Sequence, residues 1–98
     1  MEVAAFVIYQ AEVLDPVQYE KYKAKTPASI AAYGGRFIVR GGEIDVLEGE
    51  APLGRTVVVK FPSMRAAREW YASDAYTEAK ALREGAVRTR AYIVDGVE

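Results

Sequence analysis

The apolar positions along this chain change period several times, and the changes mark out its elements. Val3 to Ala11 (VAAFVIYQA) is a nearly unbroken apolar, β-rich run and predicts a strand. Asp15-Pro16 then signals a helix start: a capping carboxylate, proline at the first helical position, and Gln18 three residues after the cap. Tyr19, Tyr22, Thr26, Ile30 and Tyr33 recur every three or four residues, which places them on one helical face. Pro27 lies inside that pattern and predicts a kink or break after Thr26, because proline has no amide hydrogen. Gly34-Gly35 closes the helix.

Arg36 to Arg40 (RFIVR) predicts a second strand, with a bulge or sharp bend at Gly41-Gly42. Glu43 to Gly49 (EIDVLEG) alternates again and predicts either a continuation of that strand or a short extra one. A turn over 50–54 leads into the clearest strand, Arg55 to Phe61 (RTVVVKF). Ser63 caps the next helix, and Ser73-Asp74 reads as a second cap, so one short helix should end at Ala72 and another run from Asp74 to Glu84. Gly85 ends it, and Val87 to Val94 (VRTRAYIV) is the last strand.

The order β-α-β-β-α-β, with no linker, predicts one α+β domain over residues 1–98. It should be ferredoxin-like: a four-stranded antiparallel sheet with its helices on one face. A sheet covered on one side should alternate cleanly between apolar and polar residues. These strands do not. Phe6 or Val7, with Ile8, Ile38 and Val58, would leave the uncovered face partly apolar, and such patches mark interfaces. The expected occupant is a second copy of the chain, a homodimer closed sheet on sheet.

Composition then removes chemistries. The 98 residues carry a formal net charge of −1, which offers no long-range attraction to nucleic acid or anionic lipid. Cysteine and histidine are both absent, which removes disulfides, the usual zinc, copper and haem ligands, and every His-dependent nucleophile. No metal site and no cofactor are expected. Asparagine is missing too, so an acylphosphatase-type Arg/Asn pair cannot form. The third strand lacks the aromatics and glycine of an RNA-reading sheet. No window is long and apolar enough for a membrane helix, and Glu2 stands where a signal peptide wants a base, so the expectation is a cytoplasmic protein.

What remains is arginine, lysine, tyrosine, tryptophan and carboxylates. Arg36 and Arg40, like Arg88 and Arg90, sit at alternating strand positions, so each pair should share a face, seeking carboxylates or a small anionic ligand. Tyr19, Tyr22, Trp70, Tyr71 and Tyr76 should flank the space between helices and sheet. Aromatics at helical spacing ordinarily build core. So many hydroxyl-bearing rings in one small core is uncommon, however, because each buried phenol needs a partner.

The segments DPVQYEKY, YGGRFIVRGG, LEG, VVVKFPS and AREWYASDAY, with a late Arg83, together resemble the bacterial family DUF1330, a domain of unknown function, over nearly the whole chain. The resemblance implies the dimeric α/β-barrel superfamily, whose members include cofactor-free monooxygenases, lactone isomerases and haem-handling enzymes. It supplies no activity. With the residues above, it suggests binding or conversion of a small acidic or aromatic metabolite without metal or haem. Arg36, Arg40, Trp70 and Tyr71 are the candidate ligand contacts. Arg40 would stabilise developing negative charge, and Tyr22 or Tyr76 would move a proton. The alternative is a non-catalytic binding or assembly module.

Overall fold

In the computed structural model, which describes residues 2–97, the elements are β1 (Ala5–Val13), α1 (Pro16–Ala31), β2 (Arg36–Arg40), β3 (Arg55–Phe61), α2 (Met64–Ala72), α3 (Asp74–Ala81) and β4 (Val87–Asp95). The strands form one antiparallel sheet in the order β2-β3-β1-β4, the α+β ferredoxin-like arrangement. Consecutive residues of β1 alternate between buried and half-buried, so one face is sealed beneath the helices. The core on that face runs through Val7, Tyr9, Val57, Val59 and Phe61 of the sheet and Tyr19, Tyr22, Ile30, Trp70 and Tyr76 of the helices. The chain forms a slab of 40 × 36 × 16 Å, one helix layer on one sheet layer. Among the described residues, no helix is long and apolar enough to cross a membrane.

Local signals set most boundaries. The Asp15 carboxylate accepts the Gln18 amide at 3.1 Å, and Pro16 opens α1. Ser63 caps α2 by accepting the Ala66 amide. Ser73 serves two helices at once. Its hydroxyl donates to the Trp70 carbonyl at 2.7 Å and accepts the Tyr76 amide at 3.1 Å, so α2 ends where α3 begins. α3 stops at Ala81 rather than Glu84. Turn hydrogen bonds carry the chain over the next residues to Gly85, which has positive φ, and the Ala86 carbonyl accepts the Leu14 and Asp15 amides.

Three expectations fail in whole or in part, because contacts distant in sequence decide the outcome. Helix α1 is not broken at Pro27. The Lys23 carbonyl, which loses its helical partner there, accepts Thr26 Oγ1 and Arg40 Nη2 instead, both at 3.3 Å. Glu43 to Gly49 forms no strand, because no neighbouring strand in this chain lies beside it. The chain does bend sharply at Gly41, where φ is positive, but the bulge in β2 falls earlier, at Ile38. Phe37 pairs with Val59 and Val39 with Val58, so one residue is skipped between them.

That bulge reverses the faces of the strand beyond it. Arg36 lies opposite Lys60 on the open face, whereas Arg40 lies opposite Val57 on the helix face. The two arginines therefore do not share a side. Arg88 and Arg90 do, opposite Glu12 and Gln10 on the open face.

Candidate functional site

Four aromatic rings form a wall across the middle of the helix–sheet layer. Tyr9 comes from β1, Tyr22 from α1, Trp70 from α2 and Tyr76 from α3, and all four are buried. Trp70 and Tyr76 pack closest, with ring centroids 4.1 Å apart. Tyr22 meets Tyr76 edge-on at 6.2 Å. The excess of phenols is resolved by mutual pairing. Tyr22 Oη lies 2.8 Å from Tyr76 Oη, and Tyr9 Oη lies 3.3 Å from Tyr19 Oη. Trp70 Nε1 donates to Ser29 Oγ at 3.1 Å. Each phenol pair holds two O–H groups and uses one in its mutual bond, so each has one proton left to donate.

Burial pushes the Tyr22 phenol far above the usual tyrosine range, and neighbouring Tyr76 and Tyr9 push the same way. Tyr9 is raised by burial first and by Tyr19 second. Both are neutral donors at physiological pH, not phenolate bases.

On the β4 side of the wall is a chamber of about 460 Å³. That exceeds the ~300 Å³ at which ligand pockets begin. Tyr9, Trp70, Tyr71 and Tyr76 line it with Met64, the sheet residues Val7, Ala91 and Ile93, and the cations Arg68 and Arg83. Tyr71, about half exposed at 45%, is the most exposed of its helix aromatics. Arg83 is the chemically distinctive member. Its guanidinium lies over the rings of Tyr22 and Tyr9, 5.3 and 5.7 Å from their centroids. It makes one long contact, to Thr89 Oγ1 at 3.5 Å, and its buried Nε has no partner. Among the described residues it forms no ion pair. Burial works against its charge, but Tyr76, Tyr9 and Tyr22 more than offset that, so it holds its proton more firmly than an ordinary arginine.

No carboxylate lines this chamber. It has cations and neutral donors but no general base, so it suits a ligand that is already an anion at neutral pH. Among the described residues no cluster of potential metal ligands occurs either.

Of the expected site residues, the structure brings Trp70, Tyr71 and Tyr76 together in the chamber. Tyr22, itself part of the wall, and Arg40 line instead a cavity of about 30 Å³ on its other side, which Trp70 and Tyr76 also line. That space holds a water molecule but no organic ligand. Arg40 is tied to the Lys23 carbonyl and packs over Phe37, with 4.2 Å to the ring centroid. Arg36 is on the other face of the sheet and joins neither space. Sequence reasoning passed over the role of Arg83, which lies in the turn two residues beyond the last helical residue, Ala81.

In fold the chain resembles solved proteins of low sequence identity. A protein of unknown function from Rhodopseudomonas palustris superposes with a TM-score of 0.76 at 18% identity, covering 100% of this chain and 85% of that one. SnoaB from Streptomyces nogalater, a cofactor-independent oxygenase, gives 0.62 at 14%, covering 98% and 95%. A Caulobacter crescentus protein assigned as an antibiotic biosynthesis monooxygenase gives 0.64 at 16%, covering 99% and 92%. At these identities the likeness is one of fold. No curated protein matches the sequence. The family model for the domain of unknown function DUF1330 matches residues 4–97, and the chain belongs to that family.

Proposed function

We propose that this protein binds a planar aromatic acid, carboxylate or acidic phenol, in the β4-edge chamber and oxygenates it without metal or flavin. The observation that carries the reading is Arg83, a cation with a buried, unpartnered Nε set among aromatic rings in a ligand-sized space. A ligand carboxylate or phenolate would meet Arg83, and its ring would stack on Trp70 and Tyr71. The Tyr22–Tyr76 pair has a proton free to donate to an oxygen of the ligand. The fold similarity to a cofactor-independent oxygenase supports the reaction class. In such a monooxygenation the anionic ring itself supplies the electrons. The ring must therefore carry a phenol: one oxygen atom replaces a ring C–H hydrogen and becomes a quinone carbonyl, the phenol oxygen becomes the second carbonyl, and the other oxygen atom leaves as water with those two hydrogens.

The test is a thermal-shift screen of aromatic acids against their methyl esters, followed by oxygen uptake with those that stabilise the protein. Acids should stabilise and esters should not. Tyr76→Phe should keep binding but slow oxygen uptake about 100-fold, as expected for losing a proton-transfer group. Stabilisation without oxygen uptake would remove the reaction and leave a binding protein. Equal stabilisation by acids and esters would remove the role given to Arg83.

The working unit we propose is a homodimer joined through the open sheet face. Phe6, Ile8, Val39, Val58, Tyr92 and Val94 share that face, and Val39, Tyr92 and Val94 are exposed. Around them stand Arg36, Lys60, Arg88 and Arg90. The exposed acidic segment with Glu43, Asp45 and Glu48 offers complementary charge from a second copy.

A further inference from the structure

At the β2 edge, on the far side of the aromatic wall from Arg83, lies an open hollow of about 350 Å³. Glu20, Lys23, Ala24, Arg40 and Arg55 line it, three cations against one carboxylate. That carboxylate is already engaged, since Glu20 Oε1 accepts Lys23 Nζ at 3.1 Å. Among the described residues neither Arg40 nor Arg55 forms an ion pair, and the buried Nε of Arg55 has no hydrogen-bond partner.

The backbone is arranged to bring these groups together. The Ile38 bulge turns Arg40 to the helix face, where it lies opposite Val57, two residues along β3 from Arg55. Pro27 leaves the Lys23 carbonyl free, and Arg40 Nη2 takes it, which holds the guanidinium against α1. Gly41 then makes room for Arg55. A Cβ at Gly41 would lie 2.6 Å from Arg55 Nη2 and 2.9 Å from its Nε, and the φ of +73° also disfavours a side chain. The Arg40-Gly41 step thus brings two guanidinium side chains to the lining of one hollow, whose single carboxylate, Glu20, is already engaged by Lys23. Unpaired like charges held together are costly unless something neutralises them, and guanidinium forks match the oxygens of carboxylate and phosphate.

We infer that Lys23, Arg40 and Arg55 form an oxyanion-binding cradle, a second site that receives the phosphate or carboxylate group of a small molecule. It stands independently of the aromatic chamber, because Arg83 lines only the chamber while Arg40 and Arg55 line only this side.

The experiment follows the arginine Nε–Hε resonances by NMR during titration with inorganic phosphate or with benzoate, at constant ionic strength set with chloride. Phosphate should move the Arg40 and Arg55 signals saturably and leave Arg83 unmoved. Benzoate moving Arg40 and Arg55 alongside phosphate would extend the cradle to carboxylates, whereas benzoate moving Arg83 alone would restrict it to phosphate. Arg55→Gln should weaken phosphate binding at least about 10-fold, and Arg55→Lys should weaken it less. Gly41→Ala should also weaken it, and Arg83→Gln should leave it unchanged. The amide spectrum of each variant reports whether it is folded. Signals that do not saturate, shifts spread over all arginines alike, or an affinity unchanged in folded Arg55→Gln would overturn the cradle.

Discussion

At the scale of single residues, the buried tyrosines carry the clearest consequence. Tyr9 and Tyr22 have folded-state pKa values above the ordinary tyrosine value near 10, so above about pH 10 the folded chain binds more protons than the unfolded one. Their contribution is therefore complete below that pH and is lost as pH rises beyond it. Of seven tyrosines, Tyr9 and Tyr22 should titrate only as the protein unfolds. Absorbance at 295 nm and circular dichroism, followed together through an alkaline titration, check this. Titration of all tyrosines before any loss of structure would contradict it. Tyr22→Phe should cost about 1 kcal/mol at neutral pH, the size of one lost buried hydrogen bond. It should also make the alkaline unfolding less steep.

The elements show how far the sequence could be read and where it stopped. Caps at Asp15, Ser63 and Ser73 are local signals, satisfied within three residues, and they located helix starts correctly. The fate of Pro27 was not local. Its helix continues because Arg40, thirteen residues later, reaches the carbonyl that proline leaves free. A double-mutant cycle on Pro27→Ala and Arg40→Ala tests that link by urea unfolding. Pro27→Ala should stabilise by about 1 kcal/mol by restoring a helical amide. Arg40→Ala should then cost less by about 0.5 kcal/mol than it does in the wild type. Additive effects would disconnect the two residues. The bulge at Ile38 was equally hidden, because the apolar run Phe37-Ile38-Val39 carries no sign of an extra residue, and the register is set by pairing with β3. Missing that single extra residue put Arg36 and Arg40 on one face in the sequence reading. Trp70, Tyr71 and Tyr76 were legible as helix aromatics beside the sheet, but their meeting depends on the packing of α2 against α3 across Ser73. The role of Arg83 was not legible, because it sits beyond the last helical residue, Ala81, in a turn.

At the scale of the whole molecule, one helix layer on one sheet leaves a large face bare, and its central residues are apolar. Light scattering at micromolar concentration should give twice the chain mass. Ile8→Glu, on the open face opposite Val58 and Tyr92, should give the single-chain mass while keeping the fold. A wild-type monomer would contradict the pairing. Cations without an ion pair among the described residues stand on either side of the aromatic wall, Arg83 by β4 and Arg40 with Arg55 by β2. Trp70, the only tryptophan, belongs to that wall and lines the chamber, so its fluorescence reports on the chamber directly. The most direct test is therefore a fluorescence titration with a hydroxynaphthoate and its methyl ester, on the wild type and on Arg83→Gln. The acid should quench Trp70 saturably, the ester should not, and Arg83→Gln should weaken the acid at least about 10-fold, the loss of one charge-assisted contact. No saturable quenching, or an affinity that Arg83→Gln leaves unchanged, would contradict an anionic aromatic ligand in this chamber.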